Sequence, residues 1–381
     1  MTSVHHRPSG YLMPDDVRLA LHAAVDDPGN ARVAWDQMRA TVDLDTCWEP
    51  DIMRVLPLVW RNLVASGVDH PDLARLAGVH RRNWYSGRQT LESVDGACHA
   101  LESVGVPTQV VGGASMVARC YDGPGDRPVD DTALVVHPDD LERASVILTG
   151  AGWVTAAGRR SRQASTFAVP RRFTRADVPG VGPLTLVVTP NPWCSPTSAR
   201  QMAVHATAPA TGTANWLGDS YPTAIGRAPV SAEVQLMVTF LGGPTAVARD
   251  GHGWMVDVVH LVRSGAVNAD ALVDEASRQG VGPLLVPGLE AVASEFGVSV
   301  GDGVTGALAR AGATRRARWA ATSSSPNRLV GLAARWARAT HNQAGLTAVA
   351  SAPAFIAEQV GVDGPGALPA EFVRRLRGVD R

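Results

Sequence analysis

The sequence predicts a mostly helical α+β fold, in which a small mixed sheet is flanked by N- and C-terminal helical regions. Apolar residues recur at three- and four-residue spacing before residue 105 and again after about residue 230, as in amphipathic helices. Between these regions, short apolar runs are separated by turn signals, which is typical of strands. We therefore divide the 381 residues into an N-terminal helical region at 1–105, a core at 106–192 and a C-terminal helical domain at 193–381.

The N-terminal region reads as several helices packed together. The helical pattern starts near Asp15 and is interrupted at Asp27-Pro28-Gly29 and again between Gly67 and Pro71. Its last helix is predicted from about Leu73 to Leu101 and carries two aromatic residues beside arginines. Gly105 ends it.

The core is predicted to contain four strands and two helices, at Thr108–Val111, Ala114–Tyr121, Ala133–Val136, 138–148, Thr166–Val169 and Leu184–Thr189. The third of these segments is entirely apolar, so we expect it to be buried on both faces. Pro138, Asp139 and Asp140 suit the first turn of the second helix, because they complement its positive N-terminal end. Arg171 to Gly182 is predicted to be a connection between the last two strands.

The C-terminal domain is predicted to be helical. Ser231 is a candidate N-cap for a helix through Leu241, and further helices are predicted at 254–262, 269–279, 284–296, 328–340 and 371–376. His252 and His260 suggest a metal site, but eight residues separate them by more than two helical turns. We favour a structural hydrogen bond from Asp257 and a packed Trp254 instead.

Composition indicates a soluble globular protein, with 45% hydrophobic and 19% charged residues. We expect a cytoplasmic protein without a membrane partner, because no apolar run reaches about 18 residues and the start lacks a signal-peptide pattern. The four cysteines form no C-x-x-C pair and are predicted to be buried small hydrophobes. All 35 basic residues are arginines, a bias typical of GC-rich, actinobacterial-type genomes, so lysine chemistry is excluded.

Charge disfavours nucleic acid as a partner. The formal net charge is -1, which removes any global electrostatic attraction to phosphates. Short arginine clusters do occur, and we assign them to solvated surface. They are Arg81-Arg82, Arg171-Arg172 with Arg175, Arg315-Arg316 with Arg318, and Arg374-Arg375 with Arg377.

One motif carries the chemistry of this chain. A Gly112-Gly113 turn with Ser115 opens a helix, and an apolar strand with Asp131 at its entry follows. Glycine lets the backbone approach phosphate oxygens, and the N-terminal end of a helix presents free N–H groups to them. Successive strand residues point to opposite faces, so a carboxylate pair needs positions two apart. The residue two after Asp131 is Ala133, and the residue two after Asp130 is Thr132.

The order of these motifs resembles the bacterial nucleotidyltransferase-like family of the DNA polymerase beta superfamily. The resemblance rests on the Gly-Gly turn, the Arg127-Pro128-x-x-Asp entry to the strand, the Pro138–Ala144 helix start and Gly152-Trp153. The helical N-terminal region, the His-x-Trp-x-x-Asp segment and the Arg-rich C-terminal end are similar too. The resemblance implies a nucleotidyltransferase-type sheet holding a nucleoside triphosphate with Mg²⁺ or Mn²⁺.

Carried onto this sequence, the resemblance assigns Gly112, Gly113 and Ser115 to the phosphate turn, Arg127 to phosphate positioning and Asp131 to metal binding. Asp130 is a second candidate metal ligand. Asp131 also has a purely structural alternative, capping a turn or pairing with Arg127.

Three departures from the family pattern count against catalysis. Val111 stands at the position of a lysine, Ala133 at the position of the second carboxylate, and 184–189 offers only hydroxyls where a third is expected. Two divalent ions normally clamp the reacting oxygens of phosphoryl transfer, and a single aspartate supplies too little charge to hold them.

Two functions therefore remain open, and the sequence leaves open whether the chain is an enzyme. In the first, the protein is a pseudoenzyme that binds a nucleotide, a small-molecule or peptide intermediate, or a partner enzyme, with no cofactor required. In the second, it is an active transferase with a rearranged site, modifying a small molecule, peptide or protein, in which Asp122, Asp126 or Asp130 completes the metal shell. A third, weaker hypothesis is a protein-interaction module formed by the helical regions.

Overall fold

The computed structural model describes residues 13–155, 171–187, 230–240 and 251–311, apart from Val68, Asp131, Ala176 and Pro179, with only isolated residues beyond 311. The predicted strand Thr166–Val169 and the predicted helices at 328–340 and 371–376 lie outside the described residues.

Four helices form the N-terminal region: α1 (Asp15–Val25), α2 (Pro28–Arg39), α3 (Pro50–Ala65) and α4 (Leu73–Glu102). The carboxylate of Asp27 accepts hydrogen bonds from the backbone N–H groups of Gly29 and Asn30, and Pro28 occupies the first turn of α2. The predicted break at this point is therefore the start of a capped helix. The long predicted helix is confirmed as α4.

The central region is a small mixed sheet, as predicted, but it has five strands within the described residues, two of which, at Val154–Thr155 and Arg171–Thr174, the sequence did not indicate. Its strands are β1 (Thr108–Val111), β2 (Thr132–Val136), β3 (Val154–Thr155), β4 (Arg171–Thr174) and β5 (Leu184–Val187). Their order is β1-β2-β5-β4-β3, with β2 and β5 parallel and the other pairs antiparallel. Helix α5 (Gly113–Cys120) follows β1. A 3₁₀ turn (Pro138–Asp140) leads into α6 (Leu141–Gly150).

Two predictions for the sheet were wrong. Strand β2 is not buried on both faces, because Leu134 is buried whereas Ala133 and Val135 are only half-buried. One face of the sheet packs against α4 and α6, and the other is less covered. The predicted connection Arg171–Gly182 contains β4, in which only Phe173 is buried, so the sequence offers one inward residue and no recognisable alternation.

The C-terminal described region is helical, as predicted. It comprises α7 (residues 232–240), α8 (Trp254–Arg263), α9 (Ala269–Arg278), α10 (Gly282–Phe296) and α11 (Val304–Arg310). The hydroxyl of Ser231 accepts a hydrogen bond from the N–H of Val234 at 3.3 Å, which confirms its role as an N-cap. The predicted end of that helix, at Leu241, lies outside the described residues.

The core has two parts. One apolar cluster joins the N-terminal helices to the C-terminal helices, with Trp35 and Phe240 among its fully buried side chains. The other lies under the sheet and joins it to the second half of α4 and to α6. The two helical regions thus share a core although the sheet separates them in the chain, and the segment between α5 and β2 lies where the two parts meet.

The described residues contain no helix that combines the length and the apolar character needed to cross a bilayer. Cys98 is buried, and burial raises the pKa of its thiol to about 12. Cys47 and Cys120 are half-buried free thiols, and Cys194 lies outside the described residues. Burial agrees with the prediction of a small hydrophobe for Cys98 and only in part for the other two.

Candidate functional site

The Gly-Gly turn connects β1 to α5. Gly112 has φ +79°, a conformation that glycine adopts without strain, and it immediately precedes the helix. Its backbone N–H donates to Oε1 of Gln235 at 3.2 Å, and the N–H of Ala114 donates to Oγ1 of Thr132 at 3.1 Å. Two N–H groups of the predicted phosphate turn are therefore already hydrogen-bonded to buried side chains of the protein itself.

Ser115 lies in the first turn of α5 and is fully buried. Its hydroxyl has no hydrogen-bond partner within the part of the chain that the structure describes. A buried hydroxyl without a partner costs stability, since water has been removed and nothing replaces it. Ser115 is thus the polar side chain of this turn for which the described residues provide no hydrogen bond.

The strand register shows which residues stand where the metal ligands are expected. Val111 pairs with Ala133, Ala133 with Thr185, and Thr185 with Arg172, so these residues form one row across four strands. Directly paired residues present their side chains on the same face of a sheet. The row therefore contains one hydroxyl, one guanidinium and no carboxylate. Asp131 itself lies outside the described residues, so its predicted role stays a prediction.

This donor set does not fit a pair of divalent ions. Magnesium prefers oxygen ligands, above all carboxylates, and the row supplies a single hydroxyl, on Thr185. Arg172 is exposed and carries a positive charge, which repels a cation and attracts an anion. Nowhere in the described ranges do three His, Cys, Asp or Glu side chains come together in a group that could hold a metal.

The carboxylates proposed for a rearranged site are held by arginines of α3. Nη1 of Arg61 donates to Asp122 at 2.6 Å and to Asp126 at 2.7 Å, and the buried Asp126 also lies 3.3 Å from Nε2 of His80. Nη1 of Arg54 lies 2.8 and 3.0 Å from the two oxygens of Asp130. Each of these carboxylates therefore already has a cationic partner.

The predicted phosphate ligand Arg127 instead binds a carboxylate. Its Nε and Nη2 atoms donate to the two oxygens of Asp257 at 2.7 and 2.8 Å, and both side chains are buried. The hydroxyl of Tyr121 donates to the same carboxylate at 2.6 Å. Burial, followed by the charge of Asp257, raises the pKa of Tyr121 well above its ordinary value, so the phenol stays protonated. Asp257 thus has the structural role that the sequence predicted.

Helix α3 contributes three charged side chains to this network, and the sequence analysis missed all three. Asp51 is buried and accepts hydrogen bonds from the backbone N–H groups of His252 and Gly253, at 2.7 and 3.0 Å. Asp51, Arg54 and Arg61 lie three and seven residues apart, which places them on one side of the helix. This spacing could have been recognised in the sequence, but the sequence does not show which residue each side chain pairs with.

His260 lies beside this network. Its ring is 4.6 Å from that of Tyr121, measured between centroids. Burial lowers its pKa to about 4, and the charge of Arg61 contributes to the same shift. The ring is therefore neutral at physiological pH and acts as a packed aromatic group.

This domain has a small mixed sheet whose first strand leads through a Gly-Gly turn into a helix. Residues 51–178 match a family described as "Uncharacterised nucleotidyltransferase". This part of the chain, from α3 to the residues just beyond β4, is therefore a nucleotidyltransferase-like domain, which confirms the resemblance read from the motifs. No significant match is found among curated proteins or solved structures.

Proposed function

We propose that this chain is a nucleotidyltransferase-like protein with a degenerate metal site, which acts by binding a ligand rather than by transferring a nucleotidyl group. The observation that carries the proposal is the row Val111–Ala133–Thr185–Arg172, which has no carboxylate at the positions beside the Gly-Gly turn. Nucleotidyl transfer with two metal ions needs several carboxylates there to offset the ionic charge.

The contacts around the turn support the same function. Asp122, Asp126 and Asp130 are in ion pairs, so recruiting them to a metal would break the ion pairs that they form with Arg54 and Arg61. The guanidinium of Arg127 is likewise bound by the carboxylate of Asp257. The polar groups that a rearranged catalytic site would need are thus used to join the sheet to the helices.

The ligand chemistry that suits this site is an anionic group bound without a metal. Arg172 is the charged member of the row, is exposed, and has no ion pair within the described part of the chain. The ligand classes are a nucleotide, a phosphorylated or acidic small-molecule or peptide intermediate, or an acidic surface of a partner enzyme.

Transfer and binding assays separate this proposal from the active-transferase alternative. Purified protein is incubated with each nucleoside triphosphate and Mg²⁺ or Mn²⁺, and transfer is followed by mass spectrometry. We expect no transfer, and we expect calorimetry to show the same nucleotide affinity, or the same lack of it, with metal and with a chelator. Metal-dependent transfer that Asp131→Asn abolishes would show that the site is active.

A gain-of-function experiment tests the missing carboxylates directly. The double variant Ala133→Asp/Thr185→Asp places two carboxylates on paired positions of β2 and β5, one of them two residues after Asp131 in the chain. We expect it to bind Mn²⁺ more tightly than the wild type. The control Val135→Asp/Val187→Asp changes the next pair on the same face, two residues further along the chain from Asp131. Its affinity for Mn²⁺ should rise less than that of the first double variant. Circular dichroism checks that both variants fold, and equally tight Mn²⁺ binding by the wild type would contradict the proposal.

A further inference from the structure

One face of α4 concentrates positive charge and aromatic rings. Between Leu73 and Leu91 the chain has no Asp or Glu. Arg75 pairs with Asp45, and His80 lies 3.3 Å from Asp126 in the loop that packs against the helix, so the charged and aromatic residues left on the other side are Arg81, Arg82 and Arg88 with Trp84 and Tyr85. The whole protein has a formal net charge of -1, so this distribution is strongly uneven. Charge of one sign on one face marks a site for a partner of opposite charge.

Contacts on the other side of α4 determine which residues point outward. A Cβ at Gly87 would lie 2.7 Å from the carbonyl oxygen of Pro124, so helix and loop touch closely there. The side chain of Asn83 donates to the carbonyl oxygen of Gly125 at 2.8 Å, and Thr90 accepts from the N–H of Gly182 at 2.9 Å. These contacts leave the opposite side of the helix to solvent.

The outward side presents both guanidinium groups and an open ring. Arg81 and Arg82 are exposed, and neither forms an ion pair within the described residues. Tyr85 is 60% exposed, one turn along the helix from Arg81. The exposed ring of Tyr85 beside the guanidiniums of Arg81 and Arg82 suits a partner that combines negative charge with a flat ring.

Two contacts hold the neighbouring ring of Trp84 in place. It packs edge to face against Tyr85, with 5.1 Å between ring centroids, and the guanidinium of Arg88 lies 5.4 Å from its centroid. Arg88 also contacts Glu92 at 3.0 Å, which positions the guanidinium. The aromatic pair is therefore preorganised, and the ring of Tyr85 remains available to a partner.

We propose that the α4 surface, defined as Arg81, Arg82, Trp84, Tyr85 and Arg88, binds single-stranded nucleic acid. Phosphates would bind the guanidiniums of Arg81 and Arg82, and an unpaired base would stack on Tyr85, as on the aromatic platforms of single-strand binders. From residue 81 to 88 the helix rises about 10 Å, enough for two or three nucleotides. An acidic peptide would use the arginines but has no need of an open ring, and a duplex offers no exposed base.

This inference revises the prediction from net charge, which disfavoured nucleic acid. Net charge averages over the whole chain, whereas binding depends on the local charge of an exposed surface. Arg81 and Arg82 were assigned to solvated surface in the sequence, and the structure adds that they are unpaired within its described residues and lie beside an exposed ring. The proposal does not depend on the row of the candidate metal site.

Fluorescence anisotropy with a labelled single-stranded oligonucleotide of about twelve uridines or thymidines tests it on the full chain. We expect saturable binding at low salt that weakens steeply as salt rises. Arg81→Glu/Arg82→Glu should abolish binding. Tyr85→Ala should weaken it about fivefold or more, while Tyr85→Phe, which keeps the ring, should bind like the wild type.

Matched controls make the outcome decisive. Arg278→Glu/Arg310→Glu changes the net charge equally at two exposed arginines of α9 and α11, and it should leave binding unchanged. Unlabelled poly-glutamate should not compete at the same charge concentration. The proposal is overturned by absence of saturable binding, by equal loss in both double variants, by an unchanged affinity of Tyr85→Ala, or by equal competition from poly-glutamate.

Discussion

Arg127 and Asp257 lie 130 residues apart in the chain and form a buried, two-point ion pair. Arg127 belongs to the segment that enters β2, and Asp257 belongs to α8. The pair therefore ties the nucleotidyltransferase-like sheet to the C-terminal helices, with the hydroxyl of Tyr121 on the same carboxylate. The guanidinium that the motif assigns to a phosphate is thus used to hold two parts of the protein together.

Breaking this pair from one side should be strongly destabilising. Arg127→Ala leaves the carboxylate of Asp257 buried without its cation, so we expect a loss of about 3–5 kcal/mol in the free energy of unfolding. Urea denaturation measures it. Arg127→Met/Asp257→Leu removes both charges and should recover much of that loss.

The control for this prediction is an exposed pair, Arg18 with Asp15 on α1. Arg18→Ala should cost no more than about 1 kcal/mol, because exposed ion pairs contribute little. A loss in Arg127→Ala as small as that in Arg18→Ala would show that the buried pair does not stabilise the fold.

His260 should make the protein less stable in mild acid. Burial lowers its pKa to about 4 from an ordinary value of 6.5. Between these two values the unfolded chain binds more protons than the folded one, so stability falls as pH falls through this window. Between neutral pH and about pH 5, the free energy of unfolding should therefore fall by about 2 kcal/mol because of His260.

His260→Phe removes the titrating group and keeps a ring against Tyr121. We expect the variant to lose about 2 kcal/mol less than the wild type between about pH 7.5 and pH 5, measured by urea denaturation at each pH. The pKa of His22, raised by Asp26 and Glu295, opposes the trend equally in both proteins. His99→Gln, at an exposed position, is the control, and parallel pH profiles for wild type and His260→Phe would contradict the prediction.

Gly251→Ala should disrupt the contact between α3 and the start of α8. Gly251 has φ +75°, and a Cβ there would lie 2.1 Å from Oδ1 of Asp51. Displacing that carboxylate leaves the N–H groups of His252 and Gly253 without their acceptor. We expect a loss of about 2 kcal/mol or more beyond the cost of the backbone strain.

Gly265→Ala isolates that strain. Gly265 has φ +70°, and nothing lies within 4 Å of its Cβ position, so the substitution should cost only about 1–2 kcal/mol. Thermal or urea denaturation compares the two variants. Equal losses would mean that the clash with Asp51 is relieved without cost.

Cys98 should resist alkylation in the folded protein. Its side chain is fully buried, and burial raises the pKa of the thiol to about 12, so the reactive thiolate is scarce. With iodoacetamide and mass spectrometry, we expect modification of the half-buried Cys47 well before Cys98, and equal modification of both in urea. Fast labelling of Cys98 under native conditions would contradict its burial.

Much of the architecture could be predicted because local rules decided it. Asp27 caps α2, the predicted limits of β1 match those observed, and the long α4 contains no internal breaker strong enough to end it. Strand β4 was missed because its Arg-Arg-Phe-Thr sequence has a single inward residue. Its assignment depends on pairing with β5, which is a long-range contact.

The sequence alone determined the helical regions, the strand carrying Ala133, the family resemblance and the shortage of carboxylates, because these depend on residue identity and on periods of two or 3.6 residues. Only the tertiary structure decided that Arg127 binds Asp257, that arginines of α3 hold Asp122, Asp126 and Asp130, and that Thr185 stands beside Ala133. A charged side chain can pair with any opposite charge that folding brings near it, so its partner depends on the packing of the whole chain.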